Sequence, residues 1–146
     1  MATVNTYITF HGNCGEAFDF YKSVFGGDFS YKGMYDEMPA QEGGPEISDR
    51  DKDKIMHIGL PISKETSLMG CDSLESSREA AKASNNFSVY LSADSKTEAD
   101  RFFQELADGG RVTMPLEHTF WGSYFGMLKD KFGIEWMVGF DEGQSQ

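Results

Sequence analysis

Residues 13–28 read NCGEAFDFYKSVFGGD and residues 95–110 read SKTEADRFFQELADGG, and the two stretches carry one pattern. Glu16, Ala17, Phe20, Tyr21, Val24 and Gly27 return 82 positions later as Glu98, Ala99, Phe102, Phe103, Leu106 and Gly109. In each stretch a capping residue, Asn13 or Ser95, precedes a Glu in the capping-box position, an apolar stripe follows at helical spacing, and glycine ends the helix. A short module has been duplicated, and two modules pairing face to face create a cleft in which a site is expected.

The flanks of the two helices repeat as well. TYITF (6–10) alternates, with Ile8 and Phe10 on one face and Tyr7 and Thr9 on the other, as in a half-buried strand. Phe29 to Met38 reads as a second strand. The turn-rich, charged PAQEGGPEISDRDKDK (39–54) has no apolar periodicity and reads as a mobile hairpin excursion. KIMHIGLPI (54–62) and TSLMGCD (66–72) supply two more strands, so the first module, about 1–72, is βαβββ. SLESSREAAKASNN (73–86) is a polar link. The second module, about 87–140, runs FSVYLSAD, helix, RVTMPLE, SYFGMLKD and IEWMVGF, in the same order. Its first strand turns Val89 and Leu91 toward the helix and Ser88, Tyr90 and Ser92 away. Ile8 matches Leu91 at an offset of 83, so one residue was gained or lost between strand and helix. The fold class is α+β, in a single domain of 146 residues. Each module has only one helix to cover four strands, so the uncovered sheet faces must curl or pair.

Composition narrows the partners. A formal net charge of −11 with scattered Lys and Arg repels phosphate backbones and anionic bilayers, so neither nucleic acid nor membrane is an expected partner. No apolar run reaches the length of a membrane span, and Met1 to Asn5 leads into a strand without a signal peptide; a cytoplasmic protein is expected. Cys14 and Cys71 form neither a disulfide framework nor a zinc knuckle. Cys14 stands in the first helical turn, where the helix dipole lowers a thiol pKa, but both cysteines read as small, partly buried residues.

The chain resembles the PhnB-like group of the glyoxalase and bleomycin-resistance superfamily, the vicinal oxygen chelate proteins. The resemblance rests on YITFHGNCGEAFDFYKSVFGG (7–27), IMHIGLPI (55–62), LMGCDS (68–73) and GGRVTMPLEHTFWGSYFGMLKDKFGIEWMV (109–138). Its most specific parts are Gly-Gly-x-Val-x-Met-Pro-Leu, Thr-Phe-Trp-Gly and Asp-x-Phe-Gly-x-x-Trp. It implies paired βαβββ modules, the glyoxalase/bleomycin resistance/dihydroxybiphenyl dioxygenase fold, whose eight strands roll into a cup, usually in a homodimer. Enzymes of the superfamily hold a divalent metal there, through His or Glu on the first and last strands of each module, and use it as a Lewis acid. Carried onto this sequence, those positions fall on Asn5 or Thr6, on Ser88, on Met137, and on Ser67, Met69 or Cys71. Amide, hydroxyl and thioether groups do not hold Mg²⁺, Mn²⁺ or Zn²⁺ in such a site, so no metal and no other cofactor is expected. No glycine-rich loop follows the first strand, so methyl transfer is not expected either.

The remaining candidates stand beside plainer readings. His57, on a predicted central strand, is either a general base facing the cup or a hydrogen-bonded core histidine. Glu135 shares strand parity with Met137 and is either a polar group in the cup or a solvated strand end. Trp121, Phe120 and Tyr124 either wall a pocket or fill an interface. The expected function is binding of a small organic molecule by a metal-free homodimer, with Tyr7, Tyr90, Trp121, Tyr124 and Met137 as ligand contacts. The alternative is a lyase or isomerase with His57 and Glu135 as the proton-transfer pair and Tyr7 or Tyr90 donating to an oxyanion.

Overall fold

The computed structural model describes residues 4–37, 49–74 and 87–141. They fall into two compact units, one within residues 1–82 and the other within 83–146. The first contains β1 (Thr6–Phe10), α1 (Cys14–Phe25), β2 (Tyr31–Met34), a 3-10 turn (Tyr35–Glu37), β3 (Ile55–Pro61) and β4 (Ser67–Asp72). The second contains β5 (Val89–Ser92), α2 (Lys96–Ala107), β6 (Arg111–His118), β7 (Ser123–Lys129) and β8 (Glu135–Asp141). The sheet orders match, β1-β4-β3-β2 and β5-β8-β7-β6. In each, the first strand runs parallel to the last and the other pairs are antiparallel. The α+β fold of two βαβββ modules is therefore present as expected. No helix among the described residues is long and apolar enough to cross a membrane.

Three segments differ from the sequence expectation or fall outside the description. The second strand is shorter than Phe29 to Met38: its register slips between Gly33 and Met34, and the chain tightens into the 3-10 turn. Met38 and residues 39–48 of the excursion lie outside the described residues. The rest of the excursion is tied to the 3-10 turn, because the Tyr35 and Asp36 N–H groups donate to the Lys54 and Lys52 carbonyls, and Asp51 is buried. Of the polar link, residues 75–86 lie outside the described residues.

Helical periodicity selects the cores. Cys14, Ala17, Phe18, Tyr21 and Val24 form the buried stripe of α1 against Ile8, Phe10, Ile58, Leu60 and Leu68. Phe20, which the sequence pattern assigned to this stripe, sits at its edge and tilts against Tyr21; Phe18 takes its place. The Phe18 ring packs over Gly70, where an added Cβ would lie 2.8 Å from Phe18 Cε1 and 2.7 Å from the Ile8 carbonyl oxygen. In the second unit Ala99, Phe102, Phe103 and Leu106 do the same work against Leu91, Leu128, Trp136 and Val138. The counterpart of Phe18 is Asp100, which accepts a 2.5 Å hydrogen bond from the Tyr124 hydroxyl.

The two helices are capped by different means. Ser95 caps α2 as expected: its Oγ accepts from the Glu98 N–H at 3.0 Å, while Glu98 Oε1 accepts from the Asp94 N–H at 2.9 Å. Asn13 makes no side-chain cap bond. Its task falls to Asp72, at the far end of β4 and 1% exposed. Asp72 Oδ1 accepts from the Gly12 and Cys14 N–H groups, both at 2.9 Å, and Oδ2 accepts from the Ile55 N–H at 3.0 Å. One carboxylate thereby joins the start of α1, the start of β3 and the end of β4.

The same packing overturns the dipole argument for Cys14. Burial first, and the Asp72 carboxylate second, push its thiol well above the ordinary range. The fold keeps a proton that the unfolded chain releases, so this contribution to stability is whole below the ordinary thiol pKa of about 8.5 and is lost as pH rises above it. The urea midpoint is expected to fall on the alkaline side, and Cys14→Ala is expected to flatten that limb. A limb unchanged in Cys14→Ala would assign it to other groups.

Candidate functional site

In a strand successive side chains alternate between faces, so each unit has a second sheet face turned away from its helix. In the first unit, Tyr7 and Thr9 from β1, Met69 and Cys71 from β4, His57 from β3 and Tyr31 from β2 share that face. Strand register aligns four positions in one row, since Tyr7 pairs with Met69, Met69 with Gly59, and Gly59 with Tyr31. His57 lies between two tyrosines. The Tyr7 hydroxyl is 3.3 Å from His57 Nδ1 and the two rings stack, with centroids 5.7 Å apart and planes at 25°. Tyr31 approaches from the other side at 5.7 Å and 42°. Gly33 has no side chain where the Tyr31 phenol lies, so the ring folds back over its own strand. Thr9 Oγ1 is 4.0 Å from Cys71 Sγ. Partial burial first, and the Cys71 thiol next, hold the Tyr7 phenol above the ordinary range, so it remains a hydrogen-bond donor across physiological pH.

In the second unit the matching face carries Tyr90 from β5, Glu135 and Met137 from β8, and Phe125 and Met127 from β7. Tyr90 pairs with Met137, and Met137 with Met127. The Tyr90 ring lies across Gly139 and stacks on Phe125, with centroids 6.4 Å apart and planes at 23°. Trp121 meets the same Phe125 at 6.4 Å and packs edge-on against Phe120. The turn that presents Trp121 is fixed by Thr119, whose Oγ1 donates to the Ser123 carbonyl at 2.9 Å and accepts from the Ser123 N–H at 3.1 Å. Glu135 pairs across the ladder with Lys129.

The repeat can now be read at the level of side chains. Tyr7 corresponds to Tyr90, Met69 to Met137, and His57 to Phe125, because each occupies the same register position in its sheet. The structure brings Tyr90 and Trp121 to the same Phe125 ring, with Met137 paired to Tyr90. It does not bring Tyr124 to them: Tyr124 is buried on the helix side, with its hydroxyl on Asp100 and its ring 5.0 Å from His118. His57 and Glu135 lie in different units, each with its own neighbours. Sequence reasoning missed Tyr31 and Phe125. The second was accessible by counting back from the Asp130 turn, since Lys129 opposite Glu135 puts Phe125, not Tyr124, on the face of Met137.

The metal positions can be tested in the same way. Ser88 matches Asn5 by its place two residues before the tyrosine that both units share, and Met137 matches Met69. The four positions are thus Asn5, Met69, Ser88 and Met137. Asn5 Oδ1 accepts from the Ser67 N–H at 2.9 Å and so clamps β4 to β1. Two thioethers, a hydroxyl and an engaged amide do not fit a divalent ion that prefers carboxylate and imidazole. Among the described residues no three His, Cys, Asp or Glu side chains gather closely enough to share one.

The sequence profile of the Glyoxalase/Bleomycin resistance protein/Dioxygenase superfamily matches residues 3–138. Protein YjdN of Escherichia coli strain K12 is 29% identical over 140 residues, with 92% of each chain covered. The crystal structure of protein PA1353 from Pseudomonas aeruginosa is 38% identical, covers 97% of this chain and 98% of that one, and superposes with a TM-score of 0.80. A PhnB protein from Bacillus cereus, whose name proposes it as a 3-demethylubiquinone-9 3-methyltransferase, is 24% identical over 95% of this chain and 99% of its own, with a TM-score of 0.69. At that identity the likeness shows the fold alone.

Proposed function

We propose that this chain, which belongs to the glyoxalase/bleomycin resistance protein/dioxygenase superfamily, binds a small organic molecule on the open sheet faces without the superfamily's divalent metal. One observation carries the reading. Tyr7, Tyr31, Tyr90 and Trp121 are 48%, 50%, 54% and 59% exposed, with Tyr7 stacked on His57 and Tyr90 on Phe125, Tyr31 and Trp121 tilted against the same two rings, and methionines paired with Tyr7 and Tyr90. Isolated exposed apolar residues are ordinary, but contiguous aromatic surface with a few polar groups among it is characteristic of ligand and partner sites. Methionine thioethers add an adaptable apolar floor. The same faces also support assembly as a homodimer, which light scattering would measure.

Bond-breaking chemistry has less support. His57 engages Tyr7 and Tyr31 within the first unit, whereas an acid–base pair with Glu135 would draw on the second unit as well. Binding without turnover is the reading the residues favour.

Trp121 supplies a built-in reporter, because the other tryptophan, Trp136, is buried. A set of aromatic small molecules is expected to quench emission and raise the melting temperature in proportion to the logarithm of ligand over Kd. Trp121→Ala is expected to weaken binding about three- to tenfold, the worth of one aromatic contact, with the far-ultraviolet circular dichroism unchanged. Unaltered affinity together with loss of a dimer would make this face an interface instead.

A further inference from the structure

We propose that the first unit's open face selects ligands presenting a carbonyl-type oxygen, which accepts a hydrogen bond from His57 Nε2–H, while Tyr7 positions the imidazole by engaging Nδ1. The inference rests on the ligand-binding reading above and adds the ligand's chemical class: a flat conjugated molecule carrying a ketone, carboxylate or similar oxygen acceptor. It comes from the point at which the duplication departs from itself. Both sheets keep the tyrosine, the methionine beside it, and an aromatic ring stacked on the tyrosine at 23–25°. Only the chemistry of that ring changes, from phenyl at Phe125 to imidazole at His57. A packing role needs only the phenyl, as the second unit demonstrates. The imidazole adds two hydrogen-bonding nitrogens, and one of them is 3.3 Å from the Tyr7 hydroxyl.

The proposal requires one of the two tautomers that the 3.3 Å contact allows: Nδ1 accepts from the Tyr7 hydroxyl and the hydrogen stands on Nε2 as a donor. Among the described residues the ring partners of His57 are Tyr7 and Tyr31, which leaves Nε2 without an assigned acceptor on a half-exposed aromatic face. Tyr31 then supplies a flat surface beside that donor for a conjugated body.

The test compares two probes of nearly equal shape, 2-acetylnaphthalene and 2-ethylnaphthalene, against the full-length chain at pH 8. His57→Phe installs the ring that the second unit already uses. The ratio of the two affinities is expected to be about fivefold larger in the unsubstituted protein than in His57→Phe, the size of one net hydrogen bond. An equal ratio in both proteins overturns the assignment while leaving aromatic binding intact. Failure of either probe to bind either protein overturns the binding reading as well. Imidazole ¹⁵N NMR tests the geometry independently of His57→Phe: Nε2 is expected to carry the proton, and Tyr7→Phe to give a mixture of tautomers. A proton on Nδ1 in the unsubstituted protein would overturn the proposal.

Discussion

Replacing Asp72 by alanine is expected to destabilise the first unit by about 3–5 kcal/mol, a large part of the 5–15 kcal/mol that holds a typical domain together. The carboxylate accepts from three backbone N–H groups, on Gly12, Cys14 and Ile55, and is almost wholly buried. Alanine leaves all three donors without that acceptor in a site where each unmet donor costs about 1–3 kcal/mol, water entry setting the lower end. The loss is local, so hydrogen exchange should show early opening of β1, α1 and β4 while α2 and β8 keep their protection. Asp72→Asn retains an oxygen for Gly12 and Cys14 and is expected to lose about half as much. Ser95→Ala, at the locally capped helix, is the control and should cost about 1 kcal/mol. If Asp72→Ala cost no more than Ser95→Ala, the three bonds would not be holding the unit together.

Asp130→Ala is the second large effect, at about 2–4 kcal/mol. Asp130 Oδ1 accepts from the Phe132 N–H at 2.8 Å and the Ile134 N–H at 3.0 Å, and Oδ2 accepts from Trp136 Nε1–H at 2.9 Å. These bonds define the β7–β8 turn, in which Gly133 takes φ 87°, and they satisfy the only polar atom of a buried indole. The turn also sets register: with Lys129 opposite Glu135, Phe125 and Met137 reach the open face. Loss of the carboxylate should therefore red-shift Trp136 emission, best seen in a Trp121→Phe background, and weaken ligand binding only to the extent that register slips. An unshifted emission maximum would mean that the indole does not depend on Asp130.

Much of the fold was legible because it is written in local periodicity. Apolar spacing of 3–4 in 13–28 and 95–110, and of 2 in TYITF and FSVYLSAD, names the strand–helix half of each module, and the apolar runs between turn residues that follow complete βαβββ. The Asp-x-Phe-Gly-x-x-Trp motif was recognised as a signature, but its physical content, a carboxylate folding a turn and meeting an indole, needed coordinates. Asp72 was invisible for a stronger reason. Its partners Gly12 and Ile55 are 60 and 17 residues away, and nothing in the chain between marks a remote cap. Phe18 and Phe20 could not be told apart because both lie within the arc an α-helix can bury; Gly70, 52 positions from Phe18, decides between them by leaving room for one ring.

The candidate site was legible in its parts and not in its grouping. Strand parity and an aromatic cluster point to Tyr7, Tyr90, Trp121 and Met137; the two tyrosines and Met137 stand on open sheet faces, and Trp121 meets Phe125 from the β6–β7 turn. Composition alone groups Tyr124 with them, whereas alternation along β7 turns Tyr124 to the helix and Phe125 outward. Tyr31 escaped notice because a single tyrosine at a strand end has no periodic signal. The pairing of His57 with Tyr7 joins positions 50 residues apart and emerges only when β1, β4 and β3 lie in register.

Selective ¹³C labelling of the methionine methyl groups gives the most direct test of ligand binding on these faces. Met69 and Met137 stand beside Tyr7 and Tyr90, and Met127 pairs with Met137. On titration with 2-acetylnaphthalene, the methyl resonance of Met69 in the first unit, and those of Met127 and Met137 in the second, are each expected to move along a saturable curve. Saturable shifts confined to other methionines, or none up to the solubility limit, would contradict the claim that these aromatic faces are the binding surface.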